Sequence, residues 1–192
     1  FKGADGIVAE LGGMRFPKSS VGFYHYLDLL GLQTKPFPNP LSPFTPSTVI
    51  DLEGHPLYAE SAADLPPLLR EVGAAWQEAL EDEAHFTEMQ AAIRARDVAR
   101  IKAIWNALVW DDRSFYGFIA TSQAFRRHSF RHLEVFGQVG FGTGGWDTDF
   151  PNSMLEILRV VYTNCDDDQH FVLGGVEQVP RGLWRREPDA LA

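Results

Sequence analysis

The sequence predicts an α+β fold in which a helical segment separates two strand-bearing parts. Three observations predict it. Residues 48–52 and 55–59 are strand-like and flank Glu53-Gly54, the pattern of a β-hairpin with glycine in the turn. From about residue 64 to 134, Ala, Leu, Glu, Arg and Gln dominate, and apolar residues recur at three- and four-residue steps. Beyond that stretch, Phe171-Val172-Leu173 reads as a strand closed by Gly174-Gly175.

In chain order, residues 7–11 read as a short strand. Ser19 and Ser20 can cap a helix carrying Tyr24, Leu27, Leu29 and Leu30, with Gly31 as its stop. Residues 33–48 hold Pro36, Pro38, Pro40, Pro43 and Pro46, which dictate a stiff, extended connection. Phe37 and Phe44 within it predict that it packs on something. Leu69, Val72, Ala75, Trp76, Ala79 and Leu80 mark one helical face, and Ala99, Ile101, Ile104, Trp105 and Leu108 a second. Asp97 and Asp111 are candidate caps, and four or five helices are expected here. Gly137, Gly140, Gly142, Gly144 and Gly145 then break the rhythm. Pro151 suits a first helical turn, and Met154, Leu155, Leu158, Val161 and Tyr162 give the next helix an apolar face. The last residues are charged and irregular. The organisation expected is 1–63 (strands, one helix and a hairpin), 64–134 (helical insertion) and 135–192 (loop, helix and strand).

Composition narrows the function. The chain has 192 residues, of which 45% are hydrophobic, so it can bury a core and is not a disordered segment. A formal net charge of −9 argues against a nucleic-acid binder, which needs a basic face. The single cysteine, Cys165, excludes an internal disulfide and a Cys-based zinc cluster, and fits a reducing, cytoplasmic setting. No apolar run reaches membrane-spanning length and no signal peptide is visible. The start at Phe1 suggests a processed or trimmed piece of something longer.

Several patterns invite a chemical reading and decline it. Gly140-Phe141-Gly142-Thr143-Gly144-Gly145 fits G-x-G-x-x-G, yet the next helix begins only after a further loop, so no helix N-terminus faces the glycines. His128 and His132 are four apart, the spacing of two metal ligands. A third ligand is not visible and Arg126, Arg127 and Arg131 crowd them, so no metal is assigned. Asp166-Asp167-Asp168 lacks the spacing of a calcium loop and reads as a solvated loop. The pairs Glu81/Glu83 and Asp111/Asp112 read as exposed helix faces or caps. There is no nucleophile elbow, and Cys165 beside three aspartates is a poor nucleophile. No catalytic acid, base or nucleophile is assigned.

One stretch carries more. In Val8-Ala9-Glu10-Leu11-Gly12-Gly13-Met14-Arg15-Phe16-Pro17 an apolar run ends in two glycines and an arginine. Glycines without Cβ let backbone approach something flat, and the planar, permanently charged guanidinium can hold a small anion. A strand ending in a Gly-Gly turn with a surface arginine fits the same residues.

Glu10-Leu11-Gly12-Gly13-Met14-Arg15-Phe16-Pro17 resembles the E-x-G-x-M-R-[FIL]-P stretch of flavin-dependent L-amino-acid oxidases, a branch of the monoamine-oxidase-type flavoproteins. Phe141-Gly142-Thr143-Gly144-Gly145-Trp146 and Ser153-Met154-Leu155-Glu156-Ile157-Leu158-Arg159 resemble segments of the branch containing phenylalanine and tryptophan 2-monooxygenases. Gly174-Gly175-Val176-Glu177-Gln178-Val179-Pro180 resembles the run before that family's later flavin-binding strands. Order and spacing fit over essentially the whole chain.

The resemblance implies the substrate-binding part of a flavin amine-oxidase (p-hydroxybenzoate-hydroxylase-like) fold, with FAD as cofactor. The backbone of Gly12, Gly13 and Met14, with Arg15, would lie at the flavin ring. Arg15 would clamp the substrate α-carboxylate with two parallel charge-assisted hydrogen bonds, setting Cα–H for hydride transfer to FAD. The implied reaction oxidises an L-amino acid, aromatic ones such as L-phenylalanine favoured, with O2 as acceptor. It gives 2-oxo acid, ammonia and H2O2 or, by oxidative decarboxylation, the amide. Phe44, Trp146 and Phe150 could line an aromatic pocket, whereas Asp147, Asp149 or Glu177 there would favour a basic substrate. The N-terminal G-x-G-x-x-G unit that binds the ADP part of FAD is not in this sequence. The remaining segments of the enzyme or processed partner chains are therefore expected partners, with a homo-oligomer of the complete enzyme. The alternative is a non-catalytic binding or folding module that docks other chains through its Trp/Phe-rich loop and Pro-rich strip.

Overall fold

The computed structural model describes residues 7–10, 12–45, 47–108, 112–139, 152–165 and 167–186. The chain divides into two compact units, one from Phe1–Thr45 and Cys165–Ala192, the other from Pro46–Asn164.

The first unit is built on a three-stranded antiparallel sheet of β1 (Phe16–Pro17), β2 (Thr34–Pro36) and β5 (Gln169–Val172), in the order β1-β5-β2. Its register sets Phe16 opposite His170 and Thr34 opposite Val172. Helix α1 (Val21–Leu29) begins after Ser20, and the chain leaves it through Gly31 at φ +66°, a left-handed stop that costs glycine little. Leu27 of α1, Val172 of β5 and Val179 of α9 (Gln178–Arg185) are the buried centre of a small core. Phe16 stacks on Phe23 at 4.0 Å between ring centroids. Burial of the Tyr24 phenol raises its pKa.

Two expectations change in this unit. Among the described residues of the run 7–11, Val8 makes only a single-residue bridge, and the first strand is the Phe-Pro pair that follows. The irregular ending predicted for the chain instead holds α9. Pro180 sits in its first turn, where the missing N–H has no helical partner. Gly182 lets the helix lie on Leu30, whose Cδ2 would be only 2.8 Å from an added Cβ. Arg186 closes the end by donating to the Leu29 carbonyl at 2.8 Å.

Among its described residues the second unit holds the hairpin β3 (Thr48–Leu52) and β4 (His55–Ala59) and seven α-helices. Glu53 and Gly54 both have positive φ, 57° and 81°, the backbone of a two-residue hairpin turn, and the Asp51 carboxylate accepts from the Gly54 N–H. Ile50 and Leu57 turn toward the helices. After a 3-10 turn at Ala62–Asp64 come α2 (Pro67–Ala84), α3 (Phe86–Ala95), α4 (Val98–Leu108), α5 (Phe115–Thr121), α6 (Gln123–Arg126), α7 (Phe130–Val139) and α8 (Met154–Tyr162). The predicted face of α2 is buried at every one of its six positions. On α4, Ile104 and Leu108 are buried and Ile101 and Trp105 partly so, whereas Ala99 faces out.

Among the described residues five α-helices, α2 to α6, lie wholly within 64–134, and α7 begins there. The division between α5 and α6 has a local cause. Ser122 adopts an extended conformation between α5 and α6, and its hydroxyl and the Gln123 N–H both donate to the Glu83 carboxylate, at 2.5 and 2.8 Å. Glu81 similarly caps α3 by accepting from Thr87. The Asp97 carboxylate accepts from the Arg100 N–H, as expected of a cap; Asp111 and Pro151 lie outside the described residues. Trp76, Phe115, Phe125 and Phe136 interlock at the centre, with Phe136 within 5.7 Å of each of the other three ring centroids. Tyr162 is buried, and its hydroxyl donates to the Ala84 carbonyl.

Candidate functional site

Segment 12–15 lies outside helix and strand and is exposed along its length. An added Cβ at Gly12 would meet nothing within 4 Å, and at Gly13 only the Phe16 ring. Met14 is 44% exposed although its side chain is apolar. The result is an open strip of accessible backbone beside an exposed thioether. A flat ring system can lie along such a strip without displacing packed side chains, so these residues fit a flavin ring edge.

Arg15 stands at the end of the strip with a defined direction. Its Nη1 donates to Asn39 Oδ1 at 3.0 Å, and its guanidinium carbon lies 5.1 Å from the Phe37 ring centroid, a cation–π distance. Asn39 in turn donates through Nδ2 to Gln169 Oε1 at 3.1 Å, and Gln169 Nε2 donates to the Cys165 carbonyl at 2.8 Å. The polarity of this relay is forced from its far end. A carbonyl needs a donor, so Gln169 turns its NH2 to Cys165 and its oxygen to Asn39, which leaves the Asn39 oxygen for Arg15. Phe37 is fixed by its own N–H, which donates to the Gln169 carbonyl at 2.7 Å. One β5 residue thus supports both groups that touch the arginine.

The brace is neutral. Among the described residues no carboxylate lies within ion-pair distance of Arg15, and of its five N–H donors one is used by Asn39. A guanidinium in that condition retains both its charge and a donor edge for an incoming anion.

Two of the quoted motifs meet in this unit. Glu10 Oε1 accepts from the Val176 N–H at 2.7 Å across 166 positions. Gly175, at φ +103°, allows the approach: an added Cβ would stand 3.1 Å from Val8 Cγ1 and 3.3 Å from Glu10 Oε1. Gln178 Nε2 donates to the carbonyls of Leu173 and Gly175, locking the Gly-Gly turn. The Gly174 to Pro180 run therefore anchors the segment that precedes the Gly-Gly-Met-Arg strip.

The other motifs do different work. Glu156 and Arg159 pair with each other on the exposed side of α8, which holds the Glu156 carboxyl below its ordinary pKa. The glycine-rich run 140–145, with Trp146, Asp147, Asp149 and Phe150, lies outside the described residues. Phe44 is 57% exposed, and Glu177 pairs with Arg181 at 3.2 Å. Asp167 and Asp168 are exposed, in keeping with a solvated loop.

Sequence reasoning missed Asn39, Gln169 and Phe37 as supports of Arg15. Asn39 and Gln169 lie 24 and 154 residues from the arginine, and only the pairing of β5 with both β1 and β2 brings them to it. Sequence reasoning also missed Glu71, which joins His128 and His132: one ligand atom from each lies within 4.8 Å of the others. Among the described residues no helix is long and apolar enough to cross a membrane.

Comparison with known proteins gives the same direction. The chain is 30% identical over 206 residues to a tryptophan 2-monooxygenase of Pantoea agglomerans pv. gypsophilae, covering 94% of this chain and 35% of the relative. It is 31% identical to a tryptophan 2-monooxygenase of Pseudomonas savastanoi, covering 96% and 36%, and 29% identical to one of Agrobacterium vitis, covering 95% and 26%. The chain thus spans about a third or less of the length of these curated relatives. Residues 1–191 match the family described as flavin containing amine oxidoreductase, so the chain belongs to that family, whose cofactor is a flavin, usually FAD.

Proposed function

We propose that this chain supplies the carboxylate clamp and a flavin-facing edge of an FAD-dependent L-amino-acid oxidoreductase, and that its substrate is an aromatic L-amino acid. The observation that carries the reading is the braced arginine. Arg15 is held by a neutral amide and an aromatic face, next to the open strip of Gly12, Gly13 and Met14. In this reading two guanidinium N–H groups of Arg15 bind the two oxygens of the α-carboxylate, which fixes the orientation of Cα. Asn39 and Phe37 hold the fork in one orientation. Gly12, Gly13 and Met14 offer backbone that would hold the flavin ring. Bound FAD would supply the redox chemistry, as hydride acceptor for the substrate Cα. The overall architecture is that of the flavin amine-oxidase fold, whose FAD-binding part lies in other segments.

The name shared by the relatives supports an aromatic substrate and a monooxygenase outcome; in this proposal that outcome gives the amide. An oxidase outcome gives the 2-oxo acid, ammonia and H2O2 instead. The test is a substrate panel on the full-length protein, loaded with FAD and yellow, with peroxide and amide measured together. Turnover of L-phenylalanine or L-tryptophan well above that of L-lysine is expected. Preference for a basic amino acid, or a colourless protein that takes up no FAD, contradicts the reading.

A further inference from the structure

We propose that Glu71, His128 and His132 form a Zn2+ site in the helical unit, distinct from the flavin chemistry and not dependent on it. Glu71 lies in the second turn of α2, His128 in the turn before α7, and His132 on α7. One ligand atom from each lies within 4.8 Å of the others. His132 Nε2 is already 2.9 Å from Glu71 Oε2, and the two imidazole centroids are 4.6 Å apart. Ligands around tetrahedral zinc at about 2.1 Å sit roughly 3.4 Å from one another, so small side-chain rotations close the set.

Three further features support a cation. Ser129 Oγ lies 2.9 Å from His132 Nδ1 and can accept its proton, which leaves Nε2 with a lone pair for metal; such an outer partner is usual for zinc histidines. His132 has only 12% of its side chain exposed, so its ring is already ordered by packing. Two of the three neighbouring arginines, which by sequence alone repel a cation, are paired with carboxylates: Arg127 with Glu78, and Arg131 with Glu53 and Glu134. Two imidazoles and one carboxylate suit zinc, whereas Mg2+ and Ca2+ require mainly oxygen ligands. Three protein ligands leave the fourth position to water. The bound ion would tie α2 to the α6–α7 turn.

The test uses the full-length protein, dialysed against Zn2+ and analysed for metal content, with thermal melting in parallel. One equivalent of zinc bound at this site and a higher melting temperature with zinc are expected. The double substitution His128→Gln with His132→Gln should abolish both effects. Glu71→Gln, at an exposed position, removes one of the three direct ligands and should clearly weaken binding, and covers the case in which the double variant folds poorly. His25→Gln, at an exposed position in the other unit, should change neither. Failure to take up zinc, uptake that survives in the double variant, unweakened binding in Glu71→Gln, or equal loss in His25→Gln would each overturn the proposal.

Discussion

Arg15 and Asn39, 24 residues apart in sequence, are joined by a 3.0 Å hydrogen bond from the guanidinium to the amide oxygen. Asn39 is neutral, so it orients the arginine without neutralising it. That distinguishes a brace from an ion pair and leads to different expectations for two substitutions. Asn39→Ala removes the brace alone and should raise KM for the amino acid by several-fold, about 1 kcal/mol. Asn39→Asp keeps the shape but adds a carboxylate beside Arg15, in competition with the substrate's own. It should raise KM by about tenfold or more, although the side chain is isosteric. Steady-state kinetics of both variants check this, and Asn39→Asp being harmless would argue against a carboxylate clamp.

Gly175 is the point at which the distant motifs touch. Its φ of +103° disfavours any side chain, and a Cβ would press on Val8 and Glu10. Gly175→Ala should cost about 1–3 kcal/mol and loosen the Glu10 contact. Faster amide exchange at Val176, whose N–H donates to Glu10, is the specific readout.

Tyr162 predicts an alkaline limb of stability. Its phenol is buried, and burial raises its pKa well above the ordinary value of 10.0. The unfolded chain therefore ionises first. Stability from the neutral phenol is fully present below about pH 10 and is lost as pH rises beyond it. Tyr162→Phe removes the hydrogen bond to the Ala84 carbonyl and should cost about 1–2 kcal/mol near neutrality. The difference from wild type should shrink above pH 10, measured by denaturation across pH.

Legibility in the sequence followed the range of the interaction. Helix α2 was readable because its six buried positions lie on one face within a single helix. The hairpin was readable because Glu53-Gly54 and its flanks are local. Helix α9 was not, because Pro180 and Gly182 lower local propensity, and what compensates is contact with Leu30 and the Leu29 carbonyl about 150 residues away. Arg15 stood out by its neighbours Gly12, Gly13 and Met14. Its brace did not, since Asn39 sits in a proline-rich strip and Gln169 at the start of a strand, each unremarked until the sheet aligns them. Glu71 was hidden for the same reason: a third ligand on α2 has no sequence spacing to His128 and His132.

The most direct measurement is kcat/KM of Arg15→Ala in the full-length, FAD-loaded protein, with the L-amino acid and with the corresponding amine that lacks the carboxylate. Loss of a clamped charge pair should lower kcat/KM for the amino acid by about a hundredfold or more and leave the amine nearly unchanged. Normal oxidation of the amino acid by Arg15→Ala, or an equal loss for both compounds, would contradict the assignment of Arg15 to the carboxylate.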